Sequence, residues 1–166
     1  MKAKTLLFAL AMPLAVLPAH AQSGQAQPAQ KLFQSGADIP ALIAQAKANQ
    51  KSPTANSIMP IVTLAPYRVQ LEYRTGLTPP TLHHGEAELV EVLQGAADLA
   101  TGGQLTGVKP PRPGSSTEMG TGIAGASKRH IVKGDYVMIP PETPHQFQGI
   151  NGEFVIMSVH LLMPPK

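Results

Sequence analysis

The sequence predicts an all-β fold, an antiparallel sandwich or barrel preceded by one short helix. Three observations predict it. From Pro66 the hydropathy pattern takes a period of two: Tyr67, Val69, Leu71 and Tyr73 alternate with Arg68, Gln70, Glu72 and Arg74, as in a strand with one buried face. Further short β-prone runs follow at Glu88 to Gln94, Ala97 to Thr101, Tyr136 to Ile139, His145 to Gln148 and Glu153 to Met163. The 15 glycines and 17 prolines of the 166-residue chain punctuate these runs and leave little room for helix.

From the N-terminus, the first segment is an address rather than part of the fold. Lys2 and Lys4 precede the apolar run Thr5 to Leu17, and Ala19-His20-Ala21 has the small-x-small pattern of a cleavage site, so residues 1–21 read as a secretory signal peptide. A membrane anchor would need roughly 20 apolar residues, and Pro13 and Pro18 interrupt a run that is already shorter. The mature chain is expected to start at Gln22, in a bacterial periplasm or secreted, with no stable membrane anchor left. Residues 22–37 are expected to be a flexible lead, most plainly the Gln/Ala/Ser/Pro stretch Gln22 to Gln30.

Residues 38–65 are expected to hold the helix and a connection. Asp38 is placed as N-cap, Pro40 in the first turn, and Leu42, Ile43 and Ala46 as an apolar stripe packed on the outside of the barrel. The barrel itself takes residues 66–166. Within it, 102–130 reads as a long loop, because repeated Gly, Ser, Thr and Pro, including Pro110-Pro111-Arg112-Pro113-Gly114, forbid a long regular element. This loop is expected to be a surface insertion; the alternative is a lid that brings Lys109, Arg112 or Lys128 to an anionic ligand.

The segment Gly134 to His145 carries the most chemistry. Gly134-Asp135 is a turn dipeptide and Tyr136 to Ile139 a short strand; Pro140, Pro141 and Pro144 end that strand and bend the chain, so that His145 begins the next. A lone histidine there is more often packed than ligating. The segment resembles the second half-motif of the cupins, with Gly134, Pro140 and His145 in register. Glu142 stands where that family has its second glycine, and Gly149 where it has asparagine, with Asn151 two residues late.

A partner lies upstream. Gly76 to Gly95 resembles the first cupin half-motif, glycine, His-x-His, glutamate and glycine, with Gly76, Glu88 and Gly95 in place. If His84 is the second histidine, the first falls on Leu82; if it is His83, the first falls on Thr81. Alternation along a strand places His84 on the Glu88 face, whereas a bulge at Gly85 would bring His83 there instead. Both alternatives stand. The resemblance, over roughly Tyr67 to Met163, implies a double-stranded β-helix, the jelly-roll form of a β-barrel.

Two histidines and a carboxylate on rigid strands leave coordination positions open for a divalent iron, manganese, nickel or zinc ion. The candidate metal ligands are His83, His84, Glu88 and His145. Glu86, Tyr73, Phe147 and His160 are candidate pocket residues, His160 sharing parity with Phe154, Ile156 and Ser158 as a packed or rim histidine. The resemblance implies three readings: a metal-dependent enzyme of oxygenase or isomerase type, a non-enzymatic small-molecule sensor or carrier, or a barrel whose pocket holds no metal.

Composition excludes other classes. With no cysteine there are no disulfides, thiol catalysis or cysteine metal sites. The formal charge of +3 belongs partly to the leader: without Lys2 and Lys4, 11 basic residues stand against 10 acidic ones. No basic run interleaved with aromatics exists, so nucleic acid is not an expected partner and a small molecule is. A homodimer is left open.

Overall fold

The computed structural model describes residues 30–164. The segment expected to be a signal peptide, and the first part of the expected flexible lead, lie outside them. The rest of that lead is tied down: Lys31 and Thr63 exchange backbone hydrogen bonds of 3.1 and 2.8 Å, and a 3-10 turn spans Gly36–Asp38. Helix α1 follows at Ile39–Asn49, with Pro40 in its first turn and Leu42 and Ala46 buried. Asp38 does not cap it with its side chain, which accepts instead from Gln34 Nε2 at 3.2 Å.

The connection expected before Pro66 contains a strand, β1 at Ser57–Leu64, paired antiparallel with β2 at Tyr67–Arg74. Its Pro60 and short polar approach hid it, since proline is tolerated at an edge and β1 is an edge. The chain continues through β3 (Thr81–His83), β4 (Glu86–Gln94) and β5 (Ala96–Thr101). Residues 102–130 are more regular than a loop: they hold β6 (Gln104–Thr106), β7 (Thr117–Met119), β8 (Gly122–Ala124) and most of β9 (Ser127–Val132). Three of these are three residues long, too short for a period to register in the sequence. The last strands are β10 (Tyr136–Ile139), β11 (His145–Gln148) and β12 (Phe154–Leu162).

The strands form two five-stranded antiparallel sheets, β1-β2-β12-β4-β10 and β7-β3-β11-β5-β9, with β6 and β8 as a separate ribbon. This is the jelly-roll double-stranded β-helix expected. Val90, Val92, Phe154, Ile156 and Ile139 from one sheet meet Ala97, Leu99, Ile131 and Phe147 from the other to form the core between them. A second apolar cluster lies outside the sandwich, where Leu42 and Ala46 of α1 cover Ile61, Leu71, Tyr73 and Val155.

The helix reverses the expectation for β2. An alternating strand normally turns its apolar face to the core and its polar face to water. Here α1 covers the apolar face from outside, and Gln70, Glu72 and Arg74 point into the barrel. Tyr73, expected in the pocket, is therefore packed under the helix, 1% exposed.

Candidate metal centre

Two strand pairs bring the site together. In one sheet Thr81 lies directly opposite His145, and in the other Glu88 lies directly opposite His160. Between them the chain leaves the second sheet at His83 and enters the first at Glu86, turning through His84 and Gly85, whose φ is +65°. This corner is neither an unbroken strand nor a bulge. It resets the alternation, so His83 and Glu88 converge and His84 is thrown outward.

His84 therefore is not a member of the cluster. Its Nδ1 lies 2.7 Å from Glu142 Oε2 and its Nε2 3.3 Å from Glu118 Oε1, at the exposed rim. Hydrogen bonds to Glu142 and then to Glu118 raise its pKa. Of the two alignments read from the sequence, the one with Thr81 in the first histidine position is the one the geometry takes: Thr81 Oγ1 sits 3.0 Å from His145 Nε2.

The inward cluster has Glu88 at its centre. Its Oε2 lies 3.2 Å from His145 Nε2 and 3.5 Å from His83 Nε2, and its Oε1 4.0 Å from His160 Nε2. Ligand atoms of His83, Glu88 and His160 all fall within 4.8 Å of one another. His160 thus stands beside the glutamate, supplied by the last strand and not by either half-motif. It is buried and lines the cavity, as its shared parity with Phe154, Ile156 and Ser158 allowed, while its place beside Glu88 comes from the cross-strand register, which only pairing fixes.

Each imidazole is anchored by its other nitrogen. His145 Nδ1 donates to the Thr143 carbonyl at 3.1 Å, His160 Nδ1 is 3.1 Å from Glu86 Oε2, and His83 Nδ1 is 2.9 Å from Thr117 Oγ1. A carbonyl or an ionised carboxylate only accepts, so His145 and His160 carry their proton on Nδ1. With both rings neutral, their Nε2 lone pairs face the Glu88 carboxylate, His145 Nε2 also lying 3.0 Å from Thr81 Oγ1 and His160 Nε2 3.4 Å from Gln70 Nε2. A carboxylate faced by such nitrogens attracts a cation, a proton or a metal ion. Outer partners that fix the ring and its tautomer are the usual support of histidine ligands.

Glu86 belongs to this outer layer and is not a ligand of the cluster. It accepts from Arg68 and Ser116 at 2.8 Å each, besides His160. Burial raises its pKa, but Ser116, Arg68 and His160 outweigh burial and keep it low. Burial likewise works against ionised Glu88, yet the adjacent His145 and His83 rings, and the charge that His145 and His160 carry when protonated, hold its carboxyl below the usual range. Even so, Glu88 Oε2 is buried and completes no hydrogen bond. Burial lowers the pKa of His160 against the pull of Glu88, which favours the neutral ring.

The cluster opens onto a cavity of about 740 Å³. Phe147 and His160 line it, as expected, and so does Arg112, one of the three cations of the 102–130 segment named for the lid alternative; Gln70, Glu72 and Arg74 of β2, and Thr117, line it without having been singled out in the sequence. That segment is therefore part of the site, since Thr117 and Ser116 hold His83 and Glu86. The polar face of β2 was the available signal, read as solvent-facing because the covering helix could not be placed.

No family model matches the sequence, and no curated protein does. Among solved structures, a hydroquinone 1,2-dioxygenase in complex with Cd2+ and 4-hydroxybenzonitrile superposes with a TM-score of 0.53 at 17% identity, over 74% of this chain and 72% of that one. A putative mannose-6-phosphate isomerase from Ralstonia eutropha gives 0.48 at 16% identity, over 69% and 89%. A cupin superfamily protein from Desulfitobacterium hafniense gives 0.45 at 14% identity, over 72% and 87%. With two antiparallel five-stranded sheets, both half-motifs on the facing strands and inward His83, Glu88 and His145, the fold of this chain is that of a cupin.

Proposed function

We propose that the chain binds one divalent transition metal ion through His83, Glu88, His145 and His160, and presents it to a small molecule in the adjoining cavity. The observation that carries this reading is Glu88 Oε2: a buried carboxylate oxygen with no hydrogen bond, faced by imidazole nitrogens whose rings are pinned from behind. Nitrogen and carboxylate donors suit iron, manganese, nickel or zinc. Such an ion would supply Lewis acidity, polarising an oxygen-bearing ligand. The protein's part is to hold the rings, exclude bulk water and orient the small molecule along the cavity wall.

Metal analysis of untagged protein tests this directly. The expected content is near one transition metal ion per chain, lost in Glu88→Gln and His145→Ala while the cooperative melt is kept, and unchanged in His84→Ala. Adding the ion to metal-free protein at about a hundred times its Kd should stabilise it by about 2.7 kcal/mol. Protein that carries no stoichiometric metal, and gains no stability from iron(II), manganese(II), nickel(II) or zinc(II), would instead support a metal-free sensor or carrier using the same cavity.

A further inference from the structure

The wall of the cavity beyond the histidine cluster contains a second unfinished site. Arg74 projects inward from β2 and is 7% exposed. Its Nη2 donates to Glu72 Oε2 at 2.6 Å, and its guanidinium lies over the Phe147 ring, Cζ 4.9 Å from the centroid. Its Nε and Nη1 are buried with no hydrogen-bond partner. Glu72 has no capacity left to take them. Its Oε2 also accepts from Asn56 Nδ2 at 2.6 Å, and its Oε1 from Gln70 Nε2 at 2.8 Å and Ser158 Oγ at 2.7 Å.

The same arrangement strands an acceptor. Asn56 gives its amide nitrogen to Glu72, and its Oδ1 is buried without a donor. Asn56, Arg74, Phe147 and His145 all line one cavity. Phe147 stands between the two ends, its ring centroid 6.5 Å from that of His145. Leaving buried guanidinium N–H groups unpaired carries a desolvation cost, one a fold bears where a ligand removes it. A guanidinium N–H donates to a carboxylate oxygen along a fixed direction in the plane of the group, which a freely rotating lysine ammonium does not.

We propose that Arg74 is the carboxylate-binding residue of this cavity, so that its ligand is a small organic acid. An oxygen of the acid group accepts from an unpaired Arg74 N–H, Nη1 or Nε, a neighbouring hydroxyl or amine donates to Asn56 Oδ1, and the body of the molecule lies along Phe147 toward the histidine cluster. This deepens the proposed function and rests on it for what happens at the far end; the carboxylate subsite itself does not require the metal.

The experiment is calorimetric titration and thermal shift with paired probes, each acid against its primary amide: lactate, malate, succinate, benzoate and 4-hydroxybenzoate. Metal content is measured on the same samples. At least one acid is expected to bind wild-type protein, with or without metal, at least about tenfold more tightly than its amide. Arg74→Lys, which keeps the charge beside Glu72, should weaken that acid about tenfold to a hundredfold and leave the amide unchanged. The paired change Glu72→Gln with Arg74→Met removes both charges together and guards against misfolding of a single variant. Acid and amide binding alike, Arg74→Lys binding the acid as tightly as wild type, or none of the acids binding because water alone fills the site would overturn the proposal. Absence of metal with acid binding intact would overturn the metal reading and leave this one standing.

Discussion

Glu142 occupies a backbone conformation that few side chains accept, with φ at +60°. The left-handed region costs a non-glycine residue about 1–2 kcal/mol, which explains why the resembling motif has glycine here. Here the side chain compensates for its backbone: Oε1 accepts from the Gly85 amide at 3.0 Å and Oε2 lies 2.7 Å from His84 Nδ1. It thereby ties the bend before β11 to the corner that aims His83. Glu142→Gly relieves the strain while losing these contacts, so its stability should stay within about 1 kcal/mol of wild type. Glu142→Ala loses the contacts and keeps the strain, and should be destabilised by about 1–2 kcal/mol. Urea unfolding of the two variants checks this, and equal midpoints would show that Glu142 compensates for nothing.

Among the elements, the corners matter more than the strands for the position of the site. Gly95 joins β4 to β5 and carries the core from one sheet to the other, with φ at +81°. A Cβ there would stand 2.1 Å from the Glu153 backbone oxygen, a contact no side-chain rotation relieves. Gly85, at the other end of β4, has similar φ and open space around it. Gly85→Ala should therefore cost only the backbone term, about 1–2 kcal/mol. Gly95→Ala should cost distinctly more, read as a larger drop in melting temperature. If both lose the same stability, the close approach of this corner to Glu153 is not what the motif glycine protects. The half-motif was readable as letters; the clash that selects glycine is a contact between residues 58 positions apart.

Over the whole molecule, the charged groups inside the barrel set its response to acid. Burial pushes the Glu72 carboxyl up and Glu88 adds to that, but Arg74, Ser158 and Gln70 prevail, and its pKa lies below the ordinary value near 4.5. A carboxyl depressed on folding contributes stability above its unfolded pKa and loses it as pH falls through the folded one. Stability should hold from neutral pH to about 4.5 and decline below, by up to about 1.4 kcal/mol per pH unit for each such group. Urea midpoints measured across that range should fall less steeply in the Glu72→Gln, Arg74→Met protein. A decline as steep as in wild type would mean that the acid response lies elsewhere in the barrel.

Local pattern alone determined the class of fold, the short helix, strands such as β2, β4 and β12, and the two motifs that carry His83, Glu88 and His145. These are matters of neighbours in the chain: turn residues, proline and periods of two or 3.6. Strand β1, the three-residue strands, the choice between His83 and His84, and the place of His160 beside Glu88 were decided by tertiary structure. Each depends on a pairing or a corner between sheets, and alternation cannot be carried across a corner that resets it. The direction of β2 was decided last of all, by α1: once a helix covers the apolar face, the polar face becomes the inside, and Glu72 and Arg74 become part of a site.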